Sequence, residues 1–255
     1  MIKVSQFADD TSLLLDGSNS SLQAAMNVLE IFGSLSGLKI NSEKTRLIWI
    51  GSKKQSKDKL LGMEKLQWTD SNFCILGINF STNLMDIPRI NYNKALAKAT
   101  KVKNSWNYRY LTPIGKITVI KTLILSKFIH LFMTIPTPMN FLHEITTLMY
   151  KFLRTGKPDQ VSRKDICKTH LKGGLKMINL YNFEKSLKLS WLKELHTNSS
   201  KGWYKVLEAT VGDLQKLYKV GTKWPQTLVF ELNQFWNAVF KYSDELNNIA
   251  KIETS

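Results

Sequence analysis

Residues 2–19 read IKVSQFADDTSLLLDGSN, and the fold turns on how this stretch is parsed. Residues 2–7 form a short, half-apolar run, and Asp9 and Asp10 break it. Residues 11–15 form a second apolar run, which Asp16-Gly17-Ser18-Asn19 ends. Two strand-like runs around a tight polar break predict a β-hairpin with a pair of carboxylates at its turn. Adjacent carboxylates repel each other, so the turn calls for a cation. A divalent metal is the usual partner of hard oxygen ligands. A solvated turn is the plain alternative for the tetrapeptide Phe7-Ala8-Asp9-Asp10 taken alone.

Outward from the hairpin, the chain is first mixed and then helical. Asn19 or Ser20 is placed to cap a helix. Leu22, Met26, Leu29, Phe32 and Leu35 then recur at three- and four-residue steps, so they share one face, and Gly37 is a natural stop. Residues 45–50 predict a strand. A basic loop with Lys53, Lys54, Lys57 and Lys59 follows, and residues 73–80 predict another strand with Gly77 as a bulge or close approach. Residues 91–108 predict a helix. Thr112-Pro113 opens a second, expected to run unbroken to about Thr134, where Pro136 and Pro138 end it. Residues 141–153 predict a third. Gly156-Lys157-Pro158 marks a linker. Beyond it come a Gly173-Gly174 turn and helices bearing Trp191, Trp203, Trp224 and Trp236, which we read as core residues.

The 255 residues suffice for a sizeable core, and 43% hydrophobic residues argue against general disorder. Lys and Arg outnumber Asp and Glu by 36 to 20, for a formal charge of +16. Such a surplus gathers anions, and nucleic acid is the commonest anionic partner because each neutralised phosphate releases counterions. An anionic membrane surface is the competing reading. The most apolar run, residues 117–135, contains Lys121, Lys127 and His130 and is read as a core helix rather than a membrane span. Cys74 and Cys167 lie far apart and the four histidines are scattered, so neither a zinc site nor a disulfide framework is expected. The first residues show no secretory signal, so an intracellular protein, cytoplasmic or nuclear, is expected and the Asn79 and Asn198 glycosylation patterns carry no weight.

Five motifs in order resemble the reverse transcriptases of LINE-type, non-LTR retrotransposons. Phe7-Ala8-Asp9-Asp10 followed by Thr11 to Leu15 is similar to the catalytic palm hairpin. Residues 36–45 (SGLKINSEKT), directly after an amphipathic helix, are similar to the next palm motif. Ile75-Leu76-Gly77-Ile78 resembles the primer-gripping hairpin. Residues 106–116 (WNYRYLTPIGK) resemble the opening of the thumb, and Gly173-Gly174-Leu175-Lys176 with Leu189-Ser190-Trp191-Leu192 resembles the region after it.

The resemblance implies an α+β fold with three parts. Residues 1–85 would be the C-terminal part of a polymerase palm, with antiparallel strands and a helix. Residues 86–155 would be a helical thumb and residues 156–255 a helical post-thumb region. It implies RNA-directed DNA polymerisation in the parent enzyme, with Mg2+, an RNA template and a DNA primer. Asp9 matches a metal-binding aspartate and Asp10 its neighbour. Lys44 matches a lysine that protonates pyrophosphate, with a solvated surface lysine as the alternative. Leu76 and Gly77 match the primer grip through their backbone. Lys98, Lys101, Arg109, Lys116 and Lys121 are candidate phosphate contacts, with solvated thumb charges as the alternative.

Polymerase chemistry uses two metal ions about 3.5–4 Å apart, and these need a further aspartate from an earlier palm strand. Only Met1 to Gln6 precede the hairpin, so we expect neither that aspartate nor the fingers, and no polymerisation by this chain alone. A non-catalytic nucleic-acid-binding protein built on the basic thumb is the second reading. An open reading frame without selected function is the third.

Overall fold

The computed structural model describes residues 4–54, 56, 66–69, 72–157, 160–197, 201–212, 214 and 234–253. Lys57, Lys59, Trp224 and the Asn198 pattern lie outside them. The chain is mixed α and β, mostly helical, and divides into two compact units, Met1–Ile87 and Pro88–Ser255.

In the first unit the predicted hairpin forms. Strand β1 (Val4–Phe7) pairs antiparallel with β2 (Asp10–Leu13), and Phe7 faces Asp10 across the ladder. Helix α1 (Asn19–Ser36) follows. Its cap is one residue earlier than expected: Ser18 Oγ accepts from the Ser21 N–H at 3.1 Å, satisfying one of the unpaired donors of the first turn. Gly37 ends it at φ 75°, where its N–H donates to the Gly33 carbonyl.

The expected strand over residues 45–50 shrinks to β3 (Arg46–Leu47), which pairs in parallel with β4 (Gln67–Trp68). Residues 73–80 are not one bulged strand. They form a second hairpin, β5 (Asn72–Ile75) against β6 (Ile78–Ser81), closed by Leu76 and Gly77. Among the described residues the strands make three separate two-stranded sheets, two antiparallel as expected and one, β3 with β4, parallel. The small core is Leu22 and Leu66 with Met26 and Leu47 packed against them.

Helix α2 (Asp86–Asn107) leads into the second unit. Thr112 caps α3 (Pro113–Val119) through the Gly115 N–H, as Thr-Pro predicts. The long helix expected from here to Thr134 is interrupted. Ile120–Ile124 form a π-helical segment in which the Leu125 N–H donates to the carbonyl of Ile120, five residues back, at 2.8 Å. Helix α4 (Ser126–Thr134) continues beyond it at 46° to the segment before. The extra residue in this turn accompanies the burial of both Ile124 and Leu125, consecutive positions that a regular helix carries about 100° apart. Among the described residues no single helix is long and apolar enough to cross a membrane.

Among the described residues the unit continues with helices α5 (Met139–Leu153), α6 (Arg163–Cys167), α7 (Leu180–Thr197), α8 (Gly202–Val211) and α9 (Gln234–Glu253). Segments 86–155 and 156–255, expected as thumb and post-thumb, fall essentially within this one compact unit. Tyr92, Phe128, Phe132 and Phe141 form its aromatic centre, with Tyr92 and Phe141 stacked at 5.2 Å. Trp191, Trp203 and Trp236 meet at 5.4–5.8 Å beside it, so these three tryptophans are packed against one another.

Candidate functional site

The acidic turn is a two-residue connection, Ala8-Asp9, between Phe7 and Asp10. Ala8 takes φ 51°, a left-handed conformation that costs a non-glycine residue roughly 1–2 kcal/mol. Both carboxylates are exposed, and neither joins an ion pair among the described residues. No group of three His, Cys, Asp or Glu residues gathers there or elsewhere among them. A hard divalent cation takes six or more oxygens. Asp9 and Asp10 can supply part of such a shell but do not complete a Mg2+ site with the described residues.

Lys44 lies in a turn organised by Asn41. The Asn41 carbonyl accepts from the N–H groups of Lys44 and Thr45 and from the Thr45 hydroxyl, and its side chain accepts again from the Lys44 N–H at 3.0 Å. These bonds hold the Lys44 backbone, while its side chain is exposed and makes no hydrogen bond or ion pair with Asp9 or Asp10.

Leu76 and Gly77 close the second hairpin with φ of 49° and 80°. Two positive φ values in a two-residue loop match the twist of the flanking strands. Gly77 suits its position, whereas Leu76 pays a steric penalty and leaves its side chain exposed. Behind the tip, Phe73 and Phe80 stack across the two strands with ring centroids 5.4 Å apart.

The basic candidates separate into two groups. Lys98 and Lys101 are exposed on α2, with Lys94 on the same face by its spacing. Arg109 is exposed just beyond the helix, its guanidinium 4.4 Å from the centroid of the Trp106 ring. Lys116, by contrast, donates to Thr155 Oγ1 at 2.5 Å and to the Leu153 carbonyl at 3.5 Å, so it ties α3 to the end of α5. Lys121 is half-buried on the π-helical segment. Between Asp86 and Glu144 the sequence holds no carboxylate, while Arg89, Lys94, Lys98, Lys101, Lys103, Arg109, Lys116, Lys121 and Lys127 all fall there. Along this stretch of sequence, which includes α2, α3 and α4, the cations therefore number nine and the carboxylates none.

No protein-family model matches the chain.

Sequence reading missed a buried polar network in the second unit. Lys188 and Glu184 on α7 form an ion pair at 2.7 Å, each only 1% exposed. The Lys188 ammonium also reaches the carbonyls of Phe132 and Ile135 and the Thr137 hydroxyl at 3.1–3.4 Å. Trp191 Nε1 donates to the Met133 carbonyl at 2.9 Å. Pro136 and Pro138 prevent α4 from continuing, so its last carbonyls need donors, and α7 supplies them. The Tyr242 hydroxyl donates to Glu184 and joins α9 to the network. The Tyr92 hydroxyl shares a bond with Thr137 at 2.8 Å.

Burial lowers the pKa of Lys188 against the opposing pull of Glu184, and burial with the nearby Glu184 charge raises that of the Tyr242 phenol. In sequence, Glu184 and Lys188 are a Glu–Lys pair four residues apart, the ordinary signature of a solvated helix face. Only their burial reveals the role. The network joins the end of α4 to α7 and α9.

Proposed function

We propose that the chain carries part of the reverse transcriptase of a LINE-type, non-LTR retrotransposon and that by itself it binds nucleic acid without extending a primer. The observation that carries the reading is the acidic turn. Asp9 and Asp10 sit exposed at the tip of a two-stranded hairpin, followed by a capped amphipathic helix and a second hairpin closed by Leu76-Gly77. The order of these elements agrees with the order of motifs the sequence resembles.

In this reading Asp9 and Asp10 would contribute oxygens to metal ions, and those ions would supply the activation of the primer hydroxyl and the stabilisation of the leaving pyrophosphate in the parent enzyme. A further carboxylate completes that shell in the parent. Lys98, Lys101 and Arg109 hold template–primer phosphates. The purified chain is expected to show no primer extension on an RNA template with Mg2+. Incorporation that Asp9→Ala abolishes would show that the chain polymerises alone. Genomic sequence upstream of the codons for residues 1–6 is expected to encode fingers and an aspartate-bearing palm strand in the same frame. An unrelated upstream frame would remove the polymerase reading.

A second reading is a non-catalytic nucleic-acid-binding protein, favoured by the carboxylate-free basic segment between Asp86 and Glu144. Both readings expect salt-sensitive binding to primer–template, with log affinity falling against log salt by about 0.9 per phosphate contacted. Replacing Lys98, Lys101 and Arg109 together by Ala is expected to flatten that slope and to weaken all sequences alike, since phosphate contacts carry no base information. An unchanged slope and affinity would leave the charge as surface solvation.

A further inference from the structure

Between α2 and α3 the chain exposes two aromatic rings that no described residue covers. Tyr108 is 88% exposed and Tyr110 is fully exposed. Neither ring nor hydroxyl makes a hydrogen bond or ring contact with the described residues. Large rings normally leave water on folding, because apolar burial is the main favourable term. These two are instead displayed on a backbone anchored at both ends. The Arg109 N–H donates to the Trp106 carbonyl at 3.2 Å, and Thr112 and Pro113 start α3 directly after Leu111. Arg109, between the two tyrosines, lies over the Trp106 ring and has exposed surface to offer. Ile114, one turn further on, is also exposed.

We propose that Tyr108 and Tyr110, with Arg109 between them, are a stacking platform for the unpaired bases of single-stranded nucleic acid. The proposal deepens the nucleic-acid reading and rests on it. Three features select this partner. The rings need planar partners, and a base offers a π-face only when it is unstacked from a duplex. The guanidinium, 4.4 Å from the centroid of the Trp106 ring, can meet a phosphate oxygen with its N–H groups. The surrounding segment carries lysines and arginines and no carboxylate between Asp86 and Glu144, which complements a polyanion along its length. Lys98 and Lys101 on α2 extend the positive surface away from the rings. Duplex then engages the cations alone, and a single strand engages cations and rings together.

The test compares binding of the full chain to an oligothymidylate and to a duplex of equal length, by fluorescence anisotropy across a salt series. Tyr108→Ala/Tyr110→Ala is expected to weaken oligothymidylate binding about tenfold or more while leaving duplex binding and the salt slope in place. Tyr108→Phe/Tyr110→Phe keeps the rings and is expected to bind like the parent. Both positions are exposed, and far-ultraviolet circular dichroism checks that the variants fold. Oligothymidylate binding unchanged in the Ala pair, with duplex binding intact, overturns the platform and leaves the nucleic-acid reading standing. Equal weakening for duplex and single strand also overturns it. Failure of the parent to bind either nucleic acid removes both. Binding to vesicles containing phosphatidylserine that depends on the two tyrosines, without nucleic-acid binding, reassigns the surface to a membrane and overturns the proposal.

Discussion

Helices α1 and α5 read alike in sequence and end differently. Each carries apolar residues at three- and four-residue steps. On α5, in the second unit, Phe141, Leu142, Ile145, Met149, Phe152 and Leu153 are all buried. On α1, in the first unit, only Leu22 is buried, while Phe32 is 55% and Leu35 84% exposed. The hairpin beside it in sequence shows the same condition, with Val4 and Phe7 both exposed. An apolar stripe states that a helix has a face to cover, and it does not supply the cover.

The energetic consequence follows from magnitudes. A fully buried aliphatic or aromatic side chain contributes about 1.5–3 kcal/mol, and ordering one residue's backbone costs about 1–2 kcal/mol. Among its described residues the second unit buries many aromatic and aliphatic side chains, Tyr92, Phe128, Phe132, Ile145, Met149 and Phe152 among them. Among its described residues the first unit buries Leu22, Leu66, Ile78 and Ile87 and little else.

The largest expected effect is on fragments. Residues 1–83 expressed alone are expected to aggregate, given uncovered strand edges and apolar faces, and residues 86–255 to unfold cooperatively. A monomeric first piece with a sharp urea transition would break the comparison between the units. Next come matched substitutions. Phe132→Ala removes a fully buried ring and is expected to cost about 3–5 kcal/mol, whereas Phe32→Ala is expected to stay within about 0.5 kcal/mol. Similar losses at the two sites would mean that α1 is covered in solution.

Lys188→Met is expected to cost about 3–5 kcal/mol in urea unfolding, because it leaves Glu184 buried and uncompensated. Adding Glu184→Leu is expected to restore part of that loss. The recovery is incomplete because the α4 carbonyls of Phe132 and Ile135 still lack their donor, a deficit of about 1–3 kcal/mol per unsatisfied group. Full recovery would show that the network contributes nothing beyond removing its own charge.

The smallest effect is the pH dependence. The phenols of Tyr92, Tyr150 and Tyr242 are raised, chiefly by burial. An unfolded chain loses these protons near pH 10. Above that the folded state holds more protons, and stability falls as pH rises. Lys188 acts oppositely. Its lowered pKa means that the unfolded chain binds more protons between that value and about 10.4, so its contribution rises with pH. Tyr242→Phe is therefore expected to make the alkaline loss shallower, as measured by thermal unfolding across a pH series. An unchanged slope would place Tyr242 in contact with water.

The sequence alone determined what depends on neighbours along the chain. The hairpin at Asp9 and Asp10, the stop of α1 at Gly37, the start of α3 at Thr112-Pro113 and the body of α5 all follow from turn chemistry, caps and periodicity. These act over a few residues and leave their signature in order and spacing. The candidate carboxylates and the exposed cations of α2 were equally readable, because residue type and helical spacing sufficed to name them. Tertiary structure decided the rest. The bend at Ile120–Ile124 lies within a continuous apolar run, and Glu184 and Lys188 have the spacing of a solvated pair. Lys116 was indistinguishable from Lys98 until Thr155 and the Leu153 carbonyl were placed beside it. Tyr108 and Tyr110 have the composition of core residues and are exposed. In each case the deciding quantity is whether distant residues exclude water from a side chain, and residue order does not record that.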